Sequence, residues 1–426
     1  MTKPVLIGAL FLSGIVSCWG QTGNAPPQGT TVPPVGNVQL GTCLESTCRE
    51  APVRENLSAI DLHLKYMRGI LGGFRQGAGF GGGVQFTSAN AIRHVELRAT
   101  ALVTTRLYQR YDLEAFAHDI LDSRNSADVW FSYLYRREDN FFGIGPRIPQ
   151  TLETNFALQQ RSYQGTFTRD FTDHIQAGLY GQLANARAFR GKDKNDTPID
   201  EIFSPVPEPT PVLWAPGLLS NAKIVSYGAF FEYDARDNSS GLTRGANVYG
   251  RIASADGLKN HDAFADYGWN EAELDGRLYI PLGSNKTSLA LRARGSFKDP
   301  KGGSQIPFYA LSWLGGHEYV RGYRTYRFRG NNSLLFSTEL RQTVYAKTDQ
   351  RGVDLVGFAD TGQVWGDNRS TTNPVILKND DFSKSNWHSG VGGGIQYRHS
   401  KNIAARVEVG RSNERTLVYV SLSRGF

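Results

Sequence analysis

Between Glu271 and Ile280, Ala272, Leu274, Leu278 and Ile280 alternate with Glu271, Glu273, Asp275 and Arg277. A period of two puts the two sets on opposite faces of an extended strand, one apolar and one charged. The pattern recurs along most of the chain. Val95, Leu97, Ala99, Ala101 and Val103 oppose His94, Glu96, Arg98, Thr100 and Thr104, and Ile403, Ala405, Val407 and Val409 oppose Arg406 and Glu408. A soluble sandwich also alternates. Here, however, the runs last about 10–14 residues, where globular strands average about 5–6. An apolar-out, polar-in dyad of that length matches a membrane barrel, and a closed barrel is the one sheet that leaves no backbone unsatisfied in lipid.

About fifteen stretches read as strands. They lie near 77–87, 92–105, 107–118, 127–137, 155–169, 174–185, 223–235, 245–255, 269–281, 287–297, 333–346, 353–365, 387–398, 402–411 and 416–426. Even strand numbers are the rule for bacterial single-chain barrels, so 16 is expected. The missing strand falls around Leu62–Leu71 or within 199–222, and the prolines of the second stretch make it the poorer choice. The fold expected is therefore all-β, a transmembrane antiparallel β-barrel. Its last strand ends on Phe426, a C-terminal strand signal. No apolar run of about 18 residues follows the N-terminus, which excludes helical spans. The formal charge of +7 is scattered among acids rather than clustered, and so excludes a nucleic-acid footprint. Gly77-Ala78-Gly79-Phe80-Gly81-Gly82 spells a dinucleotide pattern, but no helix follows it. It reads instead as a loosely packed strand next to the closing seam.

Residues 1–20 have the form of a secretory signal, with Lys3, an apolar core from Val5 to Val16 and small residues after it. Cleavage after Gly20 is one processing route; lipid attachment at Cys18 is the other. Residues 21–56 form a Pro/Gly-rich periplasmic linker, and 57–426 form the barrel. Cys43 and Cys48 suit a small disulfide loop in an oxidising compartment. No nearby Cys or His completes a metal site with them.

The polar segment from Lys298 to Asn332 is long for a connection, and such length is uncommon unless functional or disordered. Its centre, Gly315-Gly316-His317-Glu318-Tyr319-Val320-Arg321-Gly322-Tyr323, holds paired glycines, aromatics and an arginine. That composition suits a loop folded into the lumen with Val320, Arg321, Gly322 and Tyr323 as its anchor. By period two, Asp360 shares a face with Phe358 and Gly362, and Glu339 shares one with Arg341. If those faces line the lumen, Arg321 meets Asp360 in a bidentate pair and also reaches Glu339. Gly322 then lets the backbone approach the wall, with Tyr323 packed beside it. The alternative is a solvated external loop in which Arg321 touches nothing.

Three stretches resemble the bacterial surface antigen superfamily, which includes outer-membrane assembly factors of the BamA and TamA type and two-partner secretion pores. They are Phe231-Glu232-Tyr233-Asp234-Ala235-Arg236-Asp237-Asn238 followed by Gly245, the Val320-Arg321-Gly322-Tyr323 loop, and Phe358-Ala359-Asp360-Thr361-Gly362-Gln363-Val364-Trp365. Phe141-Phe142-Gly143-Ile144-Gly145 also fits. The resemblance is carried mainly by residues 223–426, and family members usually bear POTRA domains before the barrel. The linker of about 36 residues is too short for one, so a member without POTRA domains is expected.

The resemblance implies a bacterial outer-membrane location and an activity that inserts or moves protein or lipid there. No cofactor and no nucleic acid enter it. Outer-membrane lipid and substrate outer-membrane or secreted proteins are the expected partners, and any periplasmic partner stays unnamed. Two other classes fit the same alternation. A passive pore would use Glu271, Glu273, Arg292, Arg294, Arg406 and Glu408 as a conducting lumen. An outer-membrane lipase or protease would take His94, His174, His317 or His388 as base. No spacing singles out a nucleophile, so no catalytic residue is assigned.

Overall fold

The computed structural model describes residues 67–71, 78–92, 94–205, 213–237, 244–258, 266–283, 286–348, 351–366, 381–398 and 404–421. Cys18, Cys43, Cys48 and Phe426 lie outside them, as do the segments expected to be signal and linker, residues 1–20 and 21–56. Among the described residues sixteen strands form the wall, with the two-residue segment Thr197–Pro198 added in parallel beside Thr154–Asp170. The first eight are β1 (Met67–Leu71), β2 (Gly81–Ile92), β3 (Val95–Thr104), β4 (Gln109–Ala117), β5 (Asn125–Phe141), β6 (Thr154–Asp170), β7 (Ile175–Arg190) and β8 (Asn221–Asp234). The second eight are β9 (Gly245–Gly257), β10 (Gly268–Pro281), β11 (Thr287–Pro300), β12 (Asn332–Ala346), β13 (Gly352–Trp365), β14 (His388–Arg398), β15 (Ala404–Arg411) and β16 (Thr416–Ser421).

Each strand pairs antiparallel with the next, from β1 through β16. The sixteenth strand is therefore Met67–Leu71; among the described residues ahead of β8, the 199–220 stretch contributes the two-residue strands Phe203–Ser204 and Leu213–Trp214. The first hairpin turns later than the alternation suggests. β2 runs on to Ile92 because a register shift between Ser88 and Ile92 absorbs the irregular residues. The Gly-rich stretch accordingly leads into the second strand of the ladder, one in from its edge.

The alternation sorts the side chains as the periodicity predicts. On β6, Gln160, Ser162, Gln164 and Thr166 are buried, while Tyr163 and Phe167 are exposed. On β12, Glu339 and Arg341 are buried and Phe336 and Leu340 face outward. The sheet curls on itself. Arg147, in the connection after β5, donates through Nε to the Asn386 side chain (2.8 Å), just before β14. In a flat sheet the sixth and fourteenth strands would lie about 38 Å apart. His388 Nε2 likewise donates to the Pro146 carbonyl at 2.8 Å.

Connections differ by rim. The four longest connections, 142–153, 191–220, 301–331 and 366–387, share one end with short turns such as 105–108 and 412–415, whereas no connection at the other end is longer than the ten residues of 235–244. Short periplasmic turns and long external loops are the outer-membrane pattern. A 14-residue strand such as β11 is about 46 Å long. Tilted by about 40°, it spans about 35 Å, enough for an apolar band about 25 Å tall and both rims.

Inside the barrel, below the long-connection rim, is an apolar core of the kind found in soluble domains. Phe308 sits 4.7 Å from the Phe141 ring and 4.8 Å from the Phe156 ring, with Ala184, Ala186 and Ile224 of the wall around it. One turn of 3-10 helix, Phe308–Ala310, brings that ring in from the connection between β11 and β12.

Candidate functional site

The connection between β11 and β12 makes a small ladder of its own, Ser312–Leu314 against Phe328–Gly330. The thirteen residues between these strands form the tip that carries the expected anchor. Paired glycines open it. Gly315 and Gly316 have φ of 105° and 90°, a region costly for any residue with a Cβ, and the Gly316 N–H closes the tip on the Tyr323 carbonyl at 3.0 Å. Val320 is fully buried among Trp313, Leu314, Tyr326, Leu335 and Val364.

Arg321 points into the wall. Its Nε and Nη2 donate to the two oxygens of Asp360 at 2.7 and 2.8 Å, and its own backbone N–H reaches Asp360 at 3.1 Å. Nη1 donates to Glu339 at 3.0 Å and to Glu408 at 2.9 Å. The guanidinium carbon stacks 3.5 Å from the centre of the Phe358 ring. Arg406 and Arg341 complete the cluster. Arg406 donates to Glu339 (2.6 Å) and Glu408 (2.7 Å), and Arg341 donates to Glu339 (2.6 Å).

Three guanidiniums thus face three carboxylates, and every member is buried. Such a set is tolerable only because each charge has partners with good geometry. For Arg321 burial opposes the charge, but the bond to Asp360 and the charges of Asp360, Glu339 and Glu408 outweigh it and hold the guanidinium above its ordinary range.

Glycines set the approach distance. Gly322 has φ of 101°, and its N–H donates to the Tyr419 hydroxyl at 2.7 Å. A Cβ there would sit 2.7 Å from the Arg411 carbonyl carbon and the Ser412 nitrogen. On the wall, a Cβ at Gly390 would meet the Arg321 carbonyl oxygen at 1.7 Å. Gly362 opposes Leu314 and Val320 in the same way. Tyr323 donates to Asn413 at 2.6 Å and packs edge-on against Phe328 and His388.

The structure thus brings together Val320, Arg321, Gly322, Tyr323, Asp360, Glu339, Phe358 and Gly362. It adds Glu408, Arg406, Tyr419, Gly390 and His317, whose Nε2 lies 3.0 Å from the second Glu408 oxygen. The inward parity of Glu408 is visible in the alternation of β15. Its pairing with a loop 87 residues earlier has no linear signal.

Two further ties span the lumen. Arg327 holds Glu414 of the β15–β16 turn (2.9 and 2.8 Å) and also the Ile148 carbonyl of the β5–β6 connection (2.6 Å). Arg136 of β5 bonds the Tyr326 hydroxyl. The loop is thereby fastened to both halves of the wall, by apolar packing at Phe308 and by charge at Arg321.

The lumen charges that suit a conducting pore are also paired. Arg251 bonds Glu271, Arg294 Nη2 donates to Glu273 at 2.7 Å, and Arg292 Nη2 donates to Asp275 at 2.6 Å. The four histidines considered as bases contact Asp119, the Asp234 carbonyl, Glu408 and the Pro146 carbonyl. Among the described residues none of their ring nitrogens is bonded to a hydroxyl or thiol.

Fold and site define a class: an outer-membrane β-barrel whose lumen holds a long external loop pinned to the wall through a buried arginine. The Omp85 superfamily domain matches residues 96–403, and the chain belongs to that superfamily, whose barrels serve protein assembly or translocation in bacterial outer membranes. The match extends well before residue 223, where the sequence resemblance is weak. Among solved structures, BamA from Haemophilus ducreyi lacking POTRA domains 1–3 is 14% identical, with a TM-score of 0.59 over 84% of this chain and 69% of that one. CdiB from Escherichia coli is 12% identical, with a TM-score of 0.53 over 84% of this chain and 62% of that one, less than two thirds of its length. At these identities the likeness is one of fold. No curated protein sequence matches the chain.

Proposed function

We propose that this barrel inserts or moves polypeptide, and with it lipid, at the outer membrane, with Val320, Arg321, Gly322 and Tyr323 as the loop anchor. The observation that carries the reading is the pinned loop of an Omp85 barrel. Arg321 ties the loop to β12, β13 and β15, so the C-terminal wall and the loop form one rigid block. A rigid block beside strands β15 and β16 gives an incoming substrate strand a fixed edge to work against, in the way that preorganised sites support recognition. The expected partners are membrane lipid and unfolded outer-membrane or secreted proteins. The role is mechanical, and no residue is assigned a chemical step.

Deletion of the gene in the native host, followed by profiling of outer-membrane proteins and lipids, tests the proposal. Loss of a defined set of proteins or lipids, restored by the intact chain but not by Arg321→Ala, is the expected outcome. An unchanged profile, together with high steady conductance in planar bilayers that is indifferent to cutting residues 298–332, would establish a passive pore instead.

A further inference from the structure

The outer face of β6, β7 and β8 carries a group of cations that the loop and lumen do not use. By register Arg161 of β6 stands opposite Asn185 of β7, and Asn185 stands opposite Lys223 of β8. Arg187, one pleat above Asn185, lies between Gln159 and Asn221. All three cations are exposed, whereas their strand neighbours Gln160, Ser162, Ala186, Ala188, Ala222 and Ile224 are buried inside the barrel. No acidic side chain pairs with Arg161, Arg187 or Lys223 among the described residues. Asp256, on the adjoining β9, is bonded to Lys301 at 2.6 Å.

Height places the group. On β7 the continuous apolar outward run goes from Ile175 to Leu183 and on β8 from Val225 to Tyr233; one pleat beyond Arg187 an aromatic pair returns, Phe189 stacked on Tyr135 of β5 at 6.4 Å, with the Arg187 guanidinium 5.9 Å from the Phe189 ring. Eight residues at a tilt of about 40° span about 20 Å, so Asn185, Arg187 and Lys223 sit at the upper margin of a band about 25 Å tall. That margin faces the long connections. Adjacent strands lie about 4.8 Å apart and same-face neighbours about 7 Å, so the three side chains converge on an area about 10 Å across. Below them are the apolar surfaces of Tyr163, Leu183 and Val225; between them are the amides Gln159, Asn185 and Asn221. Aromatics line this rim on both sides, Tyr135 and Phe189 next to the cations and Phe297, Phe336 and Trp365 opposite, with Phe297 and Trp365 in edge contact at 6.0 Å; the cations are what the first side adds. Behind the cations, Ala184, Ala186, Ala188 and Ile224 pack into the apolar core around Phe308, so the strands that present them are stiff.

We propose that Arg161, Arg187 and Lys223 form a binding site for a phosphorylated glycolipid of the outer leaflet. Guanidinium and ammonium groups take phosphate, the amides suit sugar hydroxyls, and the apolar residues beneath take acyl chains. An ordinary aromatic girdle would need none of the cations.

The test is native mass spectrometry of the full chain in neutral detergent, titrated with diphosphorylated lipid A, its fully dephosphorylated form, phosphatidylglycerol or phosphatidylcholine. Lipid A is expected to bind at least about tenfold more tightly than each of the other three. The triple variant Arg161→Gln, Arg187→Gln, Lys223→Gln is expected to lose that preference. Arg169→Gln, at the short-turn rim, keeps it. Retained heat-modifiable mobility on gels verifies that each barrel is folded. Equal binding of the dephosphorylated form, equal binding of phosphatidylglycerol, an unaltered triple variant, or an equal loss in Arg169→Gln would each overturn the site.

Discussion

Replacing Arg321 with alanine tests the ion cluster most directly, because the structure says which charge is left alone. Glu339 keeps Arg341 and Arg406, and Glu408 keeps Arg406 and His317. Among the described residues Asp360 loses its only side-chain donor and retains one backbone N–H at 3.1 Å. It is 2% exposed, so its charge cannot relax into water. A buried carboxylate stripped of its partner costs about 3–5 kcal/mol. Replacing both members with apolar groups of similar volume costs far less, since neither charge is then stranded.

Denaturant unfolding in detergent, followed by tryptophan fluorescence, measures Arg321→Ala, Asp360→Ala and the double variant. Each single change is expected to lose about 3 kcal/mol or more, and the double to lose less than the sum by about 2 kcal/mol. Limited proteolysis should also cut residues 315–327 faster in the single variants. Single losses below about 1 kcal/mol that simply add would refute the cluster as the loop's fastening.

Other consequences are narrower. Gly390→Ala places a Cβ 1.7 Å from the Arg321 carbonyl oxygen, so the loop tip must shift. A stability loss of about 1–3 kcal/mol with faster cleavage of the tip is expected, and wild-type protection of the tip would contradict the packing. Phe308→Ala empties the centre of the inner apolar core and is expected to cost about 3–5 kcal/mol by unfolding midpoint while sparing the Arg321 cluster. Burial, aided by the charge of Glu414, pushes the Tyr323 phenol up to about 12. A raised folded pKa means stability that is complete below the unfolded value near 10 and lost as pH rises toward 12. The wild type should lose about 2 kcal/mol between these limits that Tyr323→Phe does not. Parallel pH profiles would remove Tyr323 as the cause.

How much of this was legible before the structure depends on the range of the signal. Strand identity was legible because period two is local: each residue from Glu271 to Ile280 declares its face beside its neighbours. Strand number followed from length and evenness. The alternation ends this strand near residue 87, whereas β2 runs to Ile92, because a register shift breaks the local rule between Ser88 and Ile92. The apolar core around Phe308 was not foreseen. Its members are the same residue types that elsewhere face lipid; parity with Glu271 does turn Trp269 inward, but a register shift between Arg136 and Asp139 breaks the alternation before Phe141, and Phe308 lies in a connection that has no parity at all.

The site divides along the same line. Arg321 and Asp360 were legible as a pair because both sit in recognisable motifs and Asp360 has inward parity. Glu408 shared that parity yet read as a lumen charge, because a strand pattern states which way a side chain points and not what crosses the lumen to meet it. The missing information is three-dimensional. Arg321 Nη1 is shared by Glu339 of β12 and Glu408 of β15, three strands apart around the wall. Only a curved sheet brings those carboxylates to one nitrogen. The cluster therefore depends on barrel curvature as much as on residue type, and a change that flattens β14, which carries none of the three carboxylates, should loosen Arg321 while Asp360, Glu339 and Glu408 stay unsubstituted.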